Sequence, residues 1–358
     1  MLYNKGRLRA EVYKIKKGVD SGGDRFIEDY AAFEERHKDF IVASTFGQLT
    51  VISVQTAFMR SQLVQEGALA GPLNGIISDA AHKFWRAPNT LVMLSSIYCT
   101  LLRCWMPALI SYMNGASAAH YALHFEALFR SIQDELESQG TMVVADEHLS
   151  GVRVQATAIK HPVPTEPFCQ VLDFSEAERQ GFIMAYVSFR EAGENEMTKE
   201  ELVARAERCL KGCQEHWRKN VKRVAKISAI VPVTEKSSFE RRAMALLDAG
   251  DSAEFEKGAN QLEADYPAIG PWLSWWRRRE HAQMLFQTER VMEPHIWEGL
   301  PNTTNATESL NNVLYLACGT GHQLLDGLEA LRRLSINFFE RFEATRSRWP
   351  ISVLVGVH

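Results

Sequence analysis

Between Asn74 and Leu172 the apolar positions fall into short runs bounded by turn residues, the pattern of buried strands. Asn74-Gly75 opens a run through Ile76 and Ile77 that reads as a short strand delivering Asp79. Two further strands are predicted over residues 91–98 and 107–112. Tyr121, Phe125, Leu128, Phe129, Ile132 and Leu136 then recur at helical spacing behind Ser117, a suitable cap. After Pro162, Pro164 and Pro167, residues 168–172 form a compact apolar run that ends at Asp173. Ser175 and Glu178 follow as a capping-box pair, opening a helix with Phe182, Tyr186 and Phe189 along one side.

The flanks carry other patterns. The first twenty-three residues are basic and then glycine-rich, and read as a loosely held arm. Asp24 can cap a helix bearing Phe26, Ile27, Tyr30 and Phe33 on one face. Residues 40–59 are apolar-rich and read as strand then helix. From about Met197 to Trp297 the periodicity is helical, with no strand run beyond a few residues around Ile227 to Val233. A last helix carries Leu324, Leu325, Leu328, Leu331, Leu334, Phe338 and Phe342.

Composition narrows the class. The 358 residues are 46% hydrophobic and 23% charged, ordinary for a globular chain with one large interrupted domain or two smaller ones. A net charge of -4 excludes nucleic-acid binding by bulk charge, so any such contact must use local basic patches. Six cysteines are too few and too irregular for a disulfide framework, and an intracellular setting is expected. No apolar stretch follows the basic N-terminus as a signal peptide requires. The triplets at Asn302 and Asn305 are accordingly read as chance glycosylation matches. Residues 91–113 are long enough to span a membrane, yet Arg103, Pro107 and the many strand formers favour two buried strands.

Three strands, a covering helix, a strand ending in an aspartate, a helical insertion and a final helix beginning with a carboxylate make up the layout of an RNase H-like nuclease. The expected fold is therefore α/β: an RNase H-like mixed sheet flanked by helices and interrupted by a large all-helical insertion. Residues 1–65 form a basic arm and partial helical region, and residues 66–195 the first part of the core, with Asp79 and Asp173. Residues 196–300 form the insertion, residues 301–345 the last core helices with Glu308, and residues 346–358 a tail. Such a nuclease holds two divalent cations roughly 3.5–4 Å apart on acidic side chains, and hard oxygen ligands suit Mg²⁺ or Mn²⁺.

Specific motifs add to this. Thr304-Asn305-Ala306-Thr307-Glu308-Ser309-Leu310-Asn311 resembles the segment around the catalytic glutamate of Mutator-like transposases. Cys213-Gln214-Glu215-His216 resembles the Cys-x-x-His motif of that superfamily, and Val171-Leu172-Asp173 the segment carrying its second aspartate. The context of Asp79 departs from the family in lacking a threonine two residues on. The resemblance covers about residues 70 to 345. It implies metal-dependent cleavage and strand transfer at transposon ends by Asp79, Asp173 and Glu308, with two Mg²⁺ or Mn²⁺ ions. It also implies DNA as partner, a homodimer or larger multimer, and a nuclear location. A reading of a different class is a truncated or catalytically inactive descendant that binds DNA or protein.

Plainer readings stand beside these. Asn305 and Glu308 fit a simple capping box, and Asp173 a helix cap. Cys209, Cys213 and His216 have partial zinc-site spacing without an evident fourth ligand, and a structural role for Cys213 and His216 at the base of the insertion is favoured. A hydrolase built on Cys213 and His216 lacks a third orienting group. Trp272, Trp275 and Trp276 followed by Arg277, Arg278 and Arg279 suggest a nucleic-acid surface, although core packing with a solvated arginine side is the favoured reading of such a run. Arg218, Lys219, Lys222 and Arg223 form a second candidate phosphate-contacting run.

Overall fold

The computed structural model describes residues 26–64, 75–147, 165–192 and 197–348. Among the described residues seven strands build one mixed sheet: β1 (Ile41–Thr45), β2 (Val51–Val54), β3 (Ile76–Ala81), β4 (Leu91–Cys99), β5 (Cys104–Met113), β6 (Gln170–Leu172) and β7 (Leu210–Gly212). Their order is β1-β2-β5-β4-β3-β6-β7. Strands β3, β4 and β5 form an antiparallel meander, whereas β6 pairs parallel to β3 and β7 parallel to β6. The register between β4 and β5 shifts at Ser95/Ser96, next to Pro107, which has no N–H to give to the ladder.

Side-chain alternation separates the two faces of the sheet. Helix α3 (Ala118–Glu147) covers one face and packs along α4 (Glu176–Glu191), with Gly181 set where any β-carbon would strike the Tyr121 side chain at 2.4 Å. On that face Ser78 and Ser95 point toward His124 of α3. Asp79 and Ser96, one residue on in each strand, point to the opposite face and meet α12 (Asn305–Cys318). Helix α13 (Leu324–Arg348) packs beside α12.

Beneath α3 a chain of buried hydroxyls crosses the sheet. Ser53 Oγ meets Ser111 Oγ at 2.7 Å, and Ser111 meets His124 Nδ1 at 2.7 Å. His124 Nε2 meets Ser95 Oγ at 2.8 Å, Ser95 meets Ser78 Oγ at 2.7 Å, and Ser78 donates to Gln170 Oε1 at 2.6 Å. Each member is fully or almost fully buried, so polar pairs replace apolar contacts here, with Gln170 Nε2 at the end of the chain left unpaired. Burial holds the His124 imidazole far below its usual range, down to about 3, and it is neutral in the fold. The unfolded chain binds that proton near pH 6.5, so stability present above this value is lost as pH falls toward 3. His124→Gln is expected to weaken this acid dependence of the melting temperature, and a calorimetric pH series checks it.

The helical region follows β7. It comprises α6 (Gln214–Ala225), α7 (Lys236–Ala245), α8 (Ser252–Asp265), α9 (Gly270–Trp276), α10 (Arg279–Leu285) and α11 (Pro294–Gly299). Trp217, Phe239, Phe255, Trp276 and Phe286 give it a core of its own, and Phe174 packs against both this core and that of the sheet.

Several expectations are corrected. Residues 196–300 are not wholly helical: after α5 (Lys199–Glu207) the chain returns to the sheet as β7. The fully buried Lys211 stands in that strand, donating to the carbonyls of Trp297 (2.6 Å) and Leu300 (2.9 Å). Residues 227–233 form turns and the start of a short 3-10 helix, with no strand. Among the described residues 26–64, β1 and β2 extend the main sheet beyond β5, and α1 (Phe26–Arg36) and α2 (Ala57–Ser61) are helical. Phe168 closes a 3-10 turn ahead of β6, so that strand is shorter than its apolar run. Asp24 and the basic arm lie outside the described residues. No described helix is long and apolar enough to cross a membrane, and residues 91–113 form β4 and β5.

Candidate metal centre

Adjacent parallel strands set the first two acids. Asp79 lies within β3, and Asp173 follows directly on the end of β6, whose residues pair with Ile76 and Ile77. Helix α12 supplies the third wall. Thr307 docks it by a buried 2.7 Å contact with Ser96 Oγ, and Asn311 Nδ2 donates to Asp79 Oδ2 at 3.2 Å. Glu308 thus stands between two residues that touch the sheet at β4 and β3.

The three acids lie within electrostatic reach of one another. Burial raises the Asp79 carboxyl, and repulsion from Asp173 and Glu308 raises it further, to about 7. Burial also raises Asp173, opposed by His216, Thr304 and Lys219 and aided by Glu308. Three mutually repelling carboxyls, two of them held above the usual range, create a demand for positive charge.

Glu308 is turned outward. Its side chain is 45% exposed, and it pairs with Lys219 Nζ at 3.2 Å. No capping box forms at the start of α12, because the side chain of the cap residue Thr304 makes no bond to the helix backbone. Its hydroxyl instead lies 3.1 Å from Asp173 Oδ1 and 3.3 Å from Cys213 Sγ.

Helix α6 brings the Cys-x-x-His residues to the same place. Cys213 caps α6 and is fully buried, and His216 Nδ1 lies 3.2 Å from Asp173 Oδ1. Cys209 does not join them; it stands before β7 beside Cys169, the neighbouring residue before β6. His216, Asn220 and Arg223 share one face of α6. With Phe174, Trp272, Trp275 and Trp276 they line a cleft of about 580 Å³ that opens at Asp173.

The other candidate residues are dispersed. Asn305 is exposed on the first turn of α12, and Lys222 and Arg278 are exposed. Arg218 pairs with Glu215, Arg277 with Glu256, and Arg279 with Glu207, so these three guanidiniums have intramolecular partners.

Glu178 is the acid that sequence reasoning assigned otherwise. Ser175 caps α4 as expected, but the Glu178 side chain turns inward, buried, with its Oε1 unpaired. Burial raises its carboxyl well above the ordinary value, with smaller contributions from Asp173 and Asp79. Its register with Phe182, Ala185 and Phe189 on the apolar stripe is the signal that marks it as inward-facing.

No family model matches the chain, and no curated protein or solved structure does either.

Proposed function

We propose that this protein is an RNase H-like, metal-dependent nuclease of the transposase type that cuts DNA phosphodiesters and transfers the freed strand. The observation that carries the reading is that adjacent parallel strands set Asp79 and Asp173, acids far apart in sequence, side by side, with Glu308 on the helix whose Asn311 donates to Asp79. An antiparallel meander, a covering helix and two parallel strands on the first strand's other side, in this order, also support it.

The residues fit a pair of hard cations. Asp79 and Asp173 offer carboxylate oxygens whose mutual repulsion a cation would relieve, and Glu308 would complete the set on exchanging Lys219 for metal. Such ions activate a water or 3′-hydroxyl and stabilise the leaving oxygen when bound. The chain's own residues orient these ligands: Asn311 holds Asp79 and Thr304 holds Asp173. The test is nicking of supercoiled plasmid by the purified protein. Nicking that requires Mn²⁺ or Mg²⁺ is expected, and its absence with either ion counts against the nuclease.

The tryptophan-lined cleft suits unstacked bases beside the cutting site, since half-buried Trp272 and Trp275 offer stacking surfaces near Arg223. Trp275→Ala is expected to weaken single-stranded DNA binding roughly tenfold, for a stacking contribution of ~1–2 kcal/mol. Fluorescence anisotropy with a labelled oligonucleotide measures it.

A second reading rests on the Lys219–Glu308 ion pair. An ammonium that neutralises the third carboxylate leaves a DNA- or protein-binding descendant that does not cut. Lys219→Ala separates the two: the nuclease keeps or gains metal-dependent nicking, whereas the binding protein shows none.

A further inference from the structure

The geometry points to a second kind of metal site beside the carboxylates: a zinc site formed by Cys213 Sγ, His216 Nδ1 and the Asp173 carboxylate, with one position open. These three ligand atoms all lie within 4.8 Å of one another. Legs of about 2.0–2.3 Å to tetrahedral zinc put ligand atoms roughly 3.5 Å apart, so the cluster needs only small side-chain adjustments. The separation of His216 Nδ1 from Asp173 Oδ1, at 3.2 Å, already meets that spacing.

Three further observations favour a soft ion here. His216 Nδ1 lies 3.2 Å from Asp173 Oδ1 without an aligned hydrogen bond to it, so the two atoms can turn to one shared ion. Cys213 heads helix α6, where the backbone dipole stabilises a thiolate, and the Thr304 backbone N–H donates to its sulfur at 3.3 Å. Sulfur and imidazole select zinc over the hard ions that suit Asp79 and Glu308. Binding sends the Cys213 thiol proton to solvent and leaves the His216 proton on Nε2.

Neither the cysteine-histidine spacing nor an alternative with Cys209 identifies this ligand set. The third ligand comes from the end of β6, and Cys209 is turned to Cys169. Three protein ligands with an open fourth position make an exchangeable site rather than a closed structural one. Only one consequence rests on the nuclease reading: because Asp173 belongs to both sets, zinc competes with the hard pair and inhibits cutting.

Cobalt substitution tests the site without using activity. Co²⁺ added to the metal-free full chain is expected to give a near-ultraviolet thiolate charge-transfer band and intense visible bands of tetrahedral cobalt, both reversed by Zn²⁺. Cys213→Ser should abolish the charge-transfer band, and His216→Asn, at a half-exposed position, should weaken Zn²⁺ binding more than tenfold. Cys209→Ser and Glu308→Gln should leave the cobalt spectrum unchanged. A native protein without the band, a band that survives Cys213→Ser, or Zn²⁺ affinity unmoved by His216→Asn overturns the proposal. Absence of plasmid nicking alongside a normal cobalt spectrum overturns the nuclease reading and leaves the zinc site standing.

Discussion

Asp173→Asn is expected to lower metal-dependent nicking by about 10³-fold or more, a loss of ~4 kcal/mol of transition-state stabilisation. The change keeps the volume of the side chain and an oxygen able to accept from Thr304, and it removes the negative charge that a cation needs. Asp173 also faces His216, and its place at the end of β6 makes it the acid shared by most of the contacts in this centre. Initial nicking rates at saturating Mn²⁺ measure the effect, with circular dichroism to show that the fold is kept. Activity within a few fold of the unmodified protein would remove Asp173 from the chemistry.

The second large effect separates stability from function. With metal chelated, Asp79→Asn is expected to stabilise the fold at neutral pH by up to about 4 kcal/mol while abolishing metal-dependent nicking. In the unfolded chain Asp79 ionises near pH 4, whereas burial and then Asp173 hold it to about 7 in the fold. Between those values the folded state binds the extra proton, so Asp79's own contribution to stability falls as pH rises from about 4 to about 7, opposite in sign to that of His124. The difference between the parent and Asp79→Asn isolates this contribution, because Asp173, Glu178 and His124 are present in both, and Mn²⁺, which takes the place of the proton, should reverse it. Melting curves at pH 5 and pH 8, with and without Mn²⁺, measure both. A metal-free Asp79→Asn protein less stable than its parent at pH 8 would mean that the carboxylate stabilises the fold rather than straining it.

These two effects depend on residues visible in the sequence, for an identifiable reason. Asp79 and Asp173 end or interrupt apolar runs that can only be buried strands, and an acid there must meet another charge or a ligand. Glu308 stands in a motif whose neighbours Thr304, Thr307 and Asn311 all reach the sheet or Asp173. What the sequence concealed was set by contacts far along the chain. Strand β7 is three residues long and carries a lysine, whose burial the carbonyls of Trp297 and Leu300 and the Trp297 ring, 4.8 Å from its Nζ, make tolerable. Glu178 satisfies a local capping pattern, and its inward turn is decided by tertiary packing between α3 and α4. Strands β1 and β2 lie in a stretch whose short apolar runs suit strand and helix alike, and pairing with β5 settles it.

The most direct measurement is anomalous scattering from a crystal soaked in Mn²⁺ at neutral pH. Two peaks about 3.5–4 Å apart are predicted, bridged by Asp173 or Asp79, with Glu308 turned from Lys219 to ligate one of them. Full Mn²⁺ occupancy with no peak touching Asp79 or Glu308 would contradict the account.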